Sequence, residues 1–314
     1  MRCWRRSASG SALTADRLPP DPLPESVSWA HRAEAWLAAF AIGALGLLPL
    51  DWASALGGAV ARLVGPHLGI TKRARLNLHA AFPELNKAET KALIRGMWDN
   101  LGRVMFEYPH LAKIKAFAGD GRVEVCGLDN LERALAANRR VILFSAHLGN
   151  WEIAALAAGQ YGLDIAQIYR AANNPLVDGM LARLRGDFGE LIPKGAVASR
   201  RAVAALRRGG HLALLVDQKL NDGIAVPFFG RDAMTAPAPA ILALRFDCEV
   251  LPVRVERLKG AHFRLTVHPP LPLPRSGDRD ADILALMTDV NRTLEGWVRE
   301  RPEQWFWLHR RWPD

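Results

Sequence analysis

From Val141 onward the chain alternates short apolar runs with stretches of helical spacing, and this alternation leaves few folds open to it. Strand-like runs at 141–145, 165–169 and 212–216 are separated by helix-like stretches at 151–160, 175–188 and 198–208. A helix near 237–245, strands at 249–256 and 263–268, and a helix at 280–300 complete the pattern. Strands that alternate with helices imply a largely parallel sheet covered by helices. The expected fold class is therefore α/β, with a mostly parallel central sheet. Open sheets of this kind bind ligands in the crevice beyond the carboxyl ends of their strands. Residues that directly follow an apolar run are thus the first candidates for chemistry.

The segment Val141-Ile-Leu-Phe-Ser-Ala-His-Leu-Gly-Asn-Trp-Glu152 is the most informative such position. An apolar run gives way to His147, a Gly149-Asn150 corner and Glu152, in the order strand, turn, helix start. Histidine with a carboxylate partner has the parts of a general base and its orienting group. On a regular helix, positions five apart do not share a face. His147 and Glu152 meet only if the histidine precedes the first helical turn. Gly149 and Asn150 suit that arrangement, because both tolerate turn and cap conformations. The helix would run from about Trp151 through Ala158, with its free N–H groups facing the cleft.

Ser145-Ala-His-Leu-Gly-Asn-Trp-Glu152 resembles the H-x4-[D/E] block of glycerolipid-type acyltransferases, and its Gly-Asn-Trp-Glu form is similar to the late lipid A acyltransferases. Further blocks follow in that family's order: Ile168–Asp178, Ile192–Gly195, Leu215–Gly223 with Val226–Gly230 and Thr235, and Pro302–Trp312. Asn77-Leu-His-Ala-Ala-Phe-Pro83 resembles an upstream element. The resemblance spans roughly Thr71 to Trp312. It implies transfer of an acyl chain from an acyl carrier protein to a hydroxyl of a phosphorylated glycolipid, a lipid A precursor, at the cytoplasmic face of the inner membrane. On that reading His147 is the base, Glu152 its orienting group, and no cofactor is needed. There is no G-x-S-x-G elbow and no cysteine near His147, so direct attack by the acceptor is expected rather than a covalent acyl-enzyme.

Other candidates sit at the ends of expected strands. Arg170 follows 165–169 and can clamp a phosphate bidentately. Lys194, before Gly195, is a second cation of the same kind. Asp217-Gln218 follows Leu214-Leu-Val216, and a buried acid there needs a cation or polar partner. Asp217 either meets substrate or supports Arg170. Asn150, Arg170, Lys194, Asp217 and Gln218 form the expected substrate-binding set. Phe228-Phe229 is expected to pack the core or an acyl groove, and His309 to be structural. The aromatic and cationic Trp305–Trp312 segment suits closure over the core or a membrane interface better than nucleic-acid stacking. No H-E-x-x-H, no cysteine–histidine pair at ligand spacing, no G-x-G-x-x-G and no P-loop lysine appears, so neither metal nor nucleotide is expected.

The N-terminal part divides differently. Residues 1–28 are rich in Ser, Pro and Arg and are expected to form a disordered extension. Residues 29–70 form an expected membrane-associating segment, because Ala35 to Leu50 carries no charge and Trp36 and Trp52 stand at boundaries. A span needs about 20 apolar residues, so this run either crosses the bilayer or lies on it. Residues 71–120 are expected to be helical, including one or two helices in Lys87–Lys113, and 121–314 to form the catalytic domain. That domain opens with a short strand, Val123 to Val125, and a helix, Asn130 to Ala137. A formal charge of +9 suits an anionic partner such as acidic lipid or a phosphorylated substrate. Cys3, Cys126 and Cys248 are too scattered for a disulfide framework. Two other functions fit the residues: acylation of another glycolipid or a lysophospholipid, and a catalytically silent membrane protein that holds acidic lipid.

Overall fold

The computed structural model describes residues 27–312, apart from Asp120, Asp187 and Ala196. The expected extension at 1–28 lies almost wholly outside the described residues. The first helices are α1 (Trp29–Gly46), α2 (Leu50–Val64), α3 (Thr71–Ala81) and α4 (Lys87–Glu107). The uncharged run at 35–50 is therefore not one element. Pro49 stands at the N-cap of α2 and cannot continue α1. Asn86 caps α4 with a full capping box, accepting from Ala88 and Glu89 while Glu89 returns a bond to the Asn86 amide.

Strands and helices then alternate as expected. They are β1 (Val123–Cys126), α5 (Leu128–Ala136), β2 (Val141–Ser145), α6 (Glu152–Tyr161), β3 (Ile165–Tyr169), α7 (Pro175–Arg185) and β4 (Glu190–Pro193). After them come α8 (Ala198–Arg207), β5 (His211–Leu215), α9 (Ala238–Phe246), β8 (Glu249–Lys259), β9 (His262–Val267) and α10 (Arg279–Glu300). A small hairpin, β6 (Ile224–Phe228) with β7 (Arg231–Thr235), stands apart as a two-stranded sheet. The sequence reading missed β4 and this hairpin, because β4 is only four residues long, Pro227 interrupts β6, and β7 is mostly polar.

The main sheet has seven strands in the order β1-β9-β8-β2-β5-β3-β4. All neighbours are parallel except β8 and β9, which form an antiparallel pair. Both faces are covered. Val141 and Leu143 of β2 join the core under α5 and α6, while Ile142 and Phe144 join the core under α8, α9 and α10. The strand thus reads as a continuous apolar run, as doubly covered strands do. The chain passes outward from β2 through β3 to β4, returns through β5, and crosses to β8 on the other side of β2. The C-terminal end of β2 therefore borders the point where the winding reverses, the place where open α/β sheets bind ligands.

The last residues close over this edge. Trp305, Trp307 and Trp312 are buried, and Leu148 pairs with Trp305 in an isolated bridge. Asn77 of α3 donates to the carbonyls of Trp307 and His309, at 2.8 Å each. Two segments far apart in sequence are thus one local structure. His309 lies between the rings of Trp305 and Phe306, 5.0 and 5.8 Å away.

Two predictions follow from this packing. The helices α2 and α4 meet backbone to backbone at Gly57 and Gly102, where a Cβ on either would collide with the carbonyl oxygen of the other. Gly57→Ala or Gly102→Ala should destabilise the protein by about 1–3 kcal/mol, read as a lower melting temperature; an unchanged melting temperature would refute this contact. The second concerns acid. Burial pushes the His309 imidazole down from 6.5 to about 4, and burial likewise lowers His110, His211 and His268. The unfolded chain binds these protons first, so stability is full above pH 6.5 and should fall as pH drops from there towards 4. Denaturant titrations across that range should show a shallower slope for His309→Gln than for the unaltered chain; an identical slope contradicts the assignment.

Candidate active site

His147, Arg170, Lys194 and Asp217 follow β2, β3, β4 and β5, four adjacent strands, so all of them stand along one edge of the sheet. Three of them, His147, Arg170 and Lys194, line a cleft of about 170 Å³ together with Glu152, Arg185 and Gln218, with Trp151 and Tyr169 among its apolar walls.

The centre of the site is the buried Asp217 carboxylate. Oδ2 accepts from the His147 backbone N–H and from the Trp305 indole, both at 2.8 Å, and Oδ1 lies 2.8 Å from His147 Nδ1. Burial alone would raise this carboxyl, but the His147 ring and its hydrogen bonds outweigh burial and hold it well below the usual carboxylate range. An ionised carboxylate only accepts, so Nδ1 of His147 carries the proton. Nε2 is then the free lone pair, and it faces the cleft, where the Gln218 amide nitrogen approaches to 3.5 Å. Trp151 and Phe306 flank the ring at 5.1 and 6.0 Å. His309 donates from Nε2 to the Asp217 backbone carbonyl at 3.1 Å. It acts as a support, as expected.

Glu152 does not make the bond expected of it. Its carboxylate takes a bidentate pair from Arg185, Nε and Nη2 each at 2.8 Å, and a further bond from the Tyr108 hydroxyl. Burial again opposes ionisation, but Arg185 and Tyr108 keep Glu152 charged and lowered, and the His147 ring adds to this. The bond to Nδ1 belongs to Asp217 instead, because the turn through Gly149 places Glu152 beside the ring rather than behind it. Gly149 has φ +58°, and a Cβ there would lie 2.5 Å from the Val255 carbonyl, so only glycine fits this turn.

Asn150 is also corrected. It is fully buried, donates to Glu107 at 2.8 Å and accepts from the Glu152 amide at 3.1 Å. Its polar atoms hold the start of α6 and do not line the cleft. Glu107 is in turn clamped by Arg257 and bonded by Ser54 at 2.6 Å, and Arg257 reaches Asn100, which donates to the carbonyls of Gly149 and Gln304. The Gly149 N–H donates to Gln304, so this backbone group is not free for an oxyanion.

Arg170 is exposed and makes no hydrogen bond or ion pair with the described residues, so Asp217 does not support it. The Lys194 ammonium is drawn down chiefly by desolvation in the cleft; Asp217 attracts the charge and Arg170 repels it. Two cations thus overlook His147 without a carboxylate of their own. The sequence reading missed Arg185, Tyr108 and Trp305 as parts of the site. Arg185 looks like any basic residue at a helix end, and Tyr108 lies in a 3-10 turn far from the motif.

A model of the bacterial lipid A biosynthesis acyltransferase family matches residues 24–314. The chain is similar to a lipid A biosynthesis palmitoleoyltransferase of Escherichia coli (strain K12), with 27% identity over 288 residues, 88% of this chain and 90% of the relative. It is similar to a lipid A biosynthesis myristoyltransferase of the same organism, 26% identical over 278 residues, covering 87% and 85%. A lipid A biosynthesis acyltransferase of Haemophilus influenzae is 23% identical over 277 residues, again covering 87% and 85%. A family match over nearly the whole chain leads to one conclusion: the chain belongs to the bacterial lipid A biosynthesis acyltransferase family and is an acyltransferase of the late lipid A type.

Proposed function

We propose that the protein moves a fatty acyl chain from the thioester of an acyl carrier protein to a hydroxyl of a phosphorylated lipid A precursor, with His147 as base and Asp217 as its orienting group. The observation that carries this is the buried Asp217 carboxylate on His147 Nδ1, which leaves Nε2 open to a cleft bearing Arg170 and Lys194. The acceptor hydroxyl attacks the thioester carbonyl while Nε2 takes its proton. The C–S bond then breaks, and the imidazolium returns the proton to the leaving thiolate. Asp217 fixes the tautomer and stabilises the imidazolium, as an acid does behind a catalytic histidine. Glu152, held charged by Arg185, adds negative potential at the side of the ring. Arg170 and Lys194 bind substrate phosphate or the developing oxyanion, and the Gln218 amide is a neutral donor beside the base.

We further propose attachment to the inner membrane, with the catalytic domain on the cytoplasmic side, through α1 and α2. Among the described residues no helix is long and apolar enough to cross a membrane. These helices nevertheless expose Trp29, Trp36, Leu37, Phe40, Trp52 and Leu63, each more than 70% accessible. Apolar side chains gathered in this way suit a helix lying in the interface. The boundaries 29–70 for the membrane segment, 71–120 for the helical region and 121–314 for the catalytic domain belong to the same reading.

Purified variants test the chemistry. His147→Ala should fold, with a lower melting temperature because Asp217 loses a donor, and lose turnover by a factor on the order of 10²–10⁴. Asp217→Asn should lose a comparable factor, since a neutral amide no longer enforces the tautomer. Glu152→Gln should lower the melting temperature as well as turnover, because it strips a buried guanidinium of its counter-charge, a loss of about 3–5 kcal/mol. Near-normal transfer by folded His147→Ala would overturn the mechanism. For attachment, Trp36→Asp with Phe40→Asp places two charges one helical turn apart. This double variant should move from the membrane to the soluble fraction with its activity on detergent-dispersed substrate retained. An unaltered chain that is already soluble without detergent rejects the interfacial role.

A further inference from the structure

A second pocket, of about 520 Å³, opens between α3, the β6–β7 hairpin and the closing segment, and it shares no lining residue with the His147 cleft. Lys72 and Arg73 of α3, Arg231 of β7 and Arg310 of the closing segment line it, and no acid among the described residues does. One face of α3 forms a wall, because Lys72, Leu76 and Ala80, each one turn from the next, all border the space. Asn77 borders it too, and its bonds to the carbonyls of Trp307 and His309 hold the closing segment against α3. The Arg231 guanidinium lies 5.4 Å from the centre of the Trp312 ring, which also borders the pocket. This gathering of cations is unfavourable by itself. Like charges repel, and Lys72 and Arg73 stand in the first turn of α3, the positive end of its dipole, where no acid is present. Lys72, Arg73 and Arg231 form no ion pair with the described residues; Arg73 has only a long bond, 3.4 Å, to the Leu308 carbonyl. An anion placed among them relieves both the repulsion and the dipole.

We infer that this pocket binds the phosphate headgroup of an anionic membrane lipid. The inference rests on the interfacial reading of α1 and α2 and adds a headgroup contact at a defined place. The rim decides what carries the anion. Ile70 and Leu76 are exposed at the pocket's edge. Leu68, close by in the chain, is exposed as well, and so are Leu63, Val60, Leu56 and Trp52 along one face of α2. An apolar track therefore leads from α2 to a cationic hollow, the complement of a molecule with hydrocarbon at one end and phosphate at the other. The arginines offer paired donors to phosphate oxygens, and the ammonium of Lys72 adds a point charge. A soluble acidic protein or free phosphate would meet the cations but leave the apolar rim in water.

The test is co-sedimentation of the full chain with vesicles, which needs neither acyl donor nor acceptor. The unaltered chain should bind phosphatidylcholine vesicles through its apolar face and bind vesicles containing phosphatidylglycerol roughly tenfold more tightly or better. Lys72→Gln alone, at an exposed position, should reduce the phosphatidylglycerol affinity about fivefold. Lys72→Gln with Arg231→Gln and Arg310→Gln should remove the whole excess and leave phosphatidylcholine binding unchanged. A control removes three exposed arginines outside the pocket, Arg207→Gln, Arg245→Gln and Arg279→Gln, and should keep the excess. Equal losses in the two triple variants would mean attraction by net charge and refute the site. Inorganic phosphate should compete no better than sodium chloride of equal ionic strength; full displacement by phosphate would assign the pocket to a free anion and overturn the lipid. If the pocket variant keeps the excess but loses affinity for acyl carrier protein, an acidic protein is the occupant and the inference falls. An unaltered chain that binds neither vesicle rejects the interfacial reading itself, whereas binding to phosphatidylcholine with no excess rejects the headgroup site alone.

Discussion

A carboxylate with no access to water has to be surrounded by donors, and in this protein that requirement shapes the edge of the sheet around Asp217. Removing an ionised carboxylate from water costs several kcal/mol even after relaxation. Here the cost is offset by the His147 amide, the His147 ring and the Trp305 indole. The first two come from the loop after β2, the third from the C-terminal segment, and Asp217 itself follows β5. One side chain thus ties three separate stretches of chain together. The same bonds that stabilise the charge choose the tautomer of His147, so the fold and the basicity of Nε2 have a common origin.

Two further buried acids repeat the principle around the 147–152 loop. Glu107 is satisfied by Arg257, Ser54 and Asn150, and Glu152 by Arg185 and Tyr108. In each case a guanidinium gives two donors in a plane, the geometry that best matches a carboxylate. Arg257 also reaches Asn100, which holds the carbonyls of Gly149 and Gln304. The loop that carries His147 is therefore fixed from α4, from β8 and from the closing segment. Losing one member would leave a buried partner unpaired, which costs more than the net worth of the bond itself.

The electrostatic layout separates tasks. The acids lie behind and beside His147, inside the protein, where Glu107 and Glu152 are neutralised by arginines and Asp217 is held by neutral donors. Arg170 and Lys194 lie on the open side, where a substrate anion would have to arrive. His147, Arg170 and Lys194 meet at one cleft because consecutive βα units bring their loops to the same edge.

How much of this could be read without coordinates depends on the range of the interaction involved. The strand–helix alternation after Val141 was legible because side-chain periodicity is local, and the boundaries of β3, α8 and α10 differ little from those read off the pattern. The placing of His147, Arg170, Lys194 and Asp217 on one edge was legible for the same reason, since each follows a strand. Strands β4, β6 and β7 were not, because β4 is very short, Pro227 interrupts β6 and β7 is mostly polar, and their pairing partners supply what their own composition lacks. Nor could spacing tell which acid holds the histidine. Glu152 is five residues away and Asp217 is seventy, yet the β2–β5 pairing sets Ser145 beside Leu215 and brings the distant acid onto Nδ1. Asn150 looked like a site residue for its position in the motif, whereas packing against α4 turns it inward to Glu107. The sequence by itself determined the α/β class with its mostly parallel sheet and the edge along which His147, Arg170, Lys194 and Asp217 stand. Only the tertiary structure decided which carboxylate bonds His147 and which guanidinium holds the other acid, because a hydrogen bond is set by distance in space and periodicity carries no information about it.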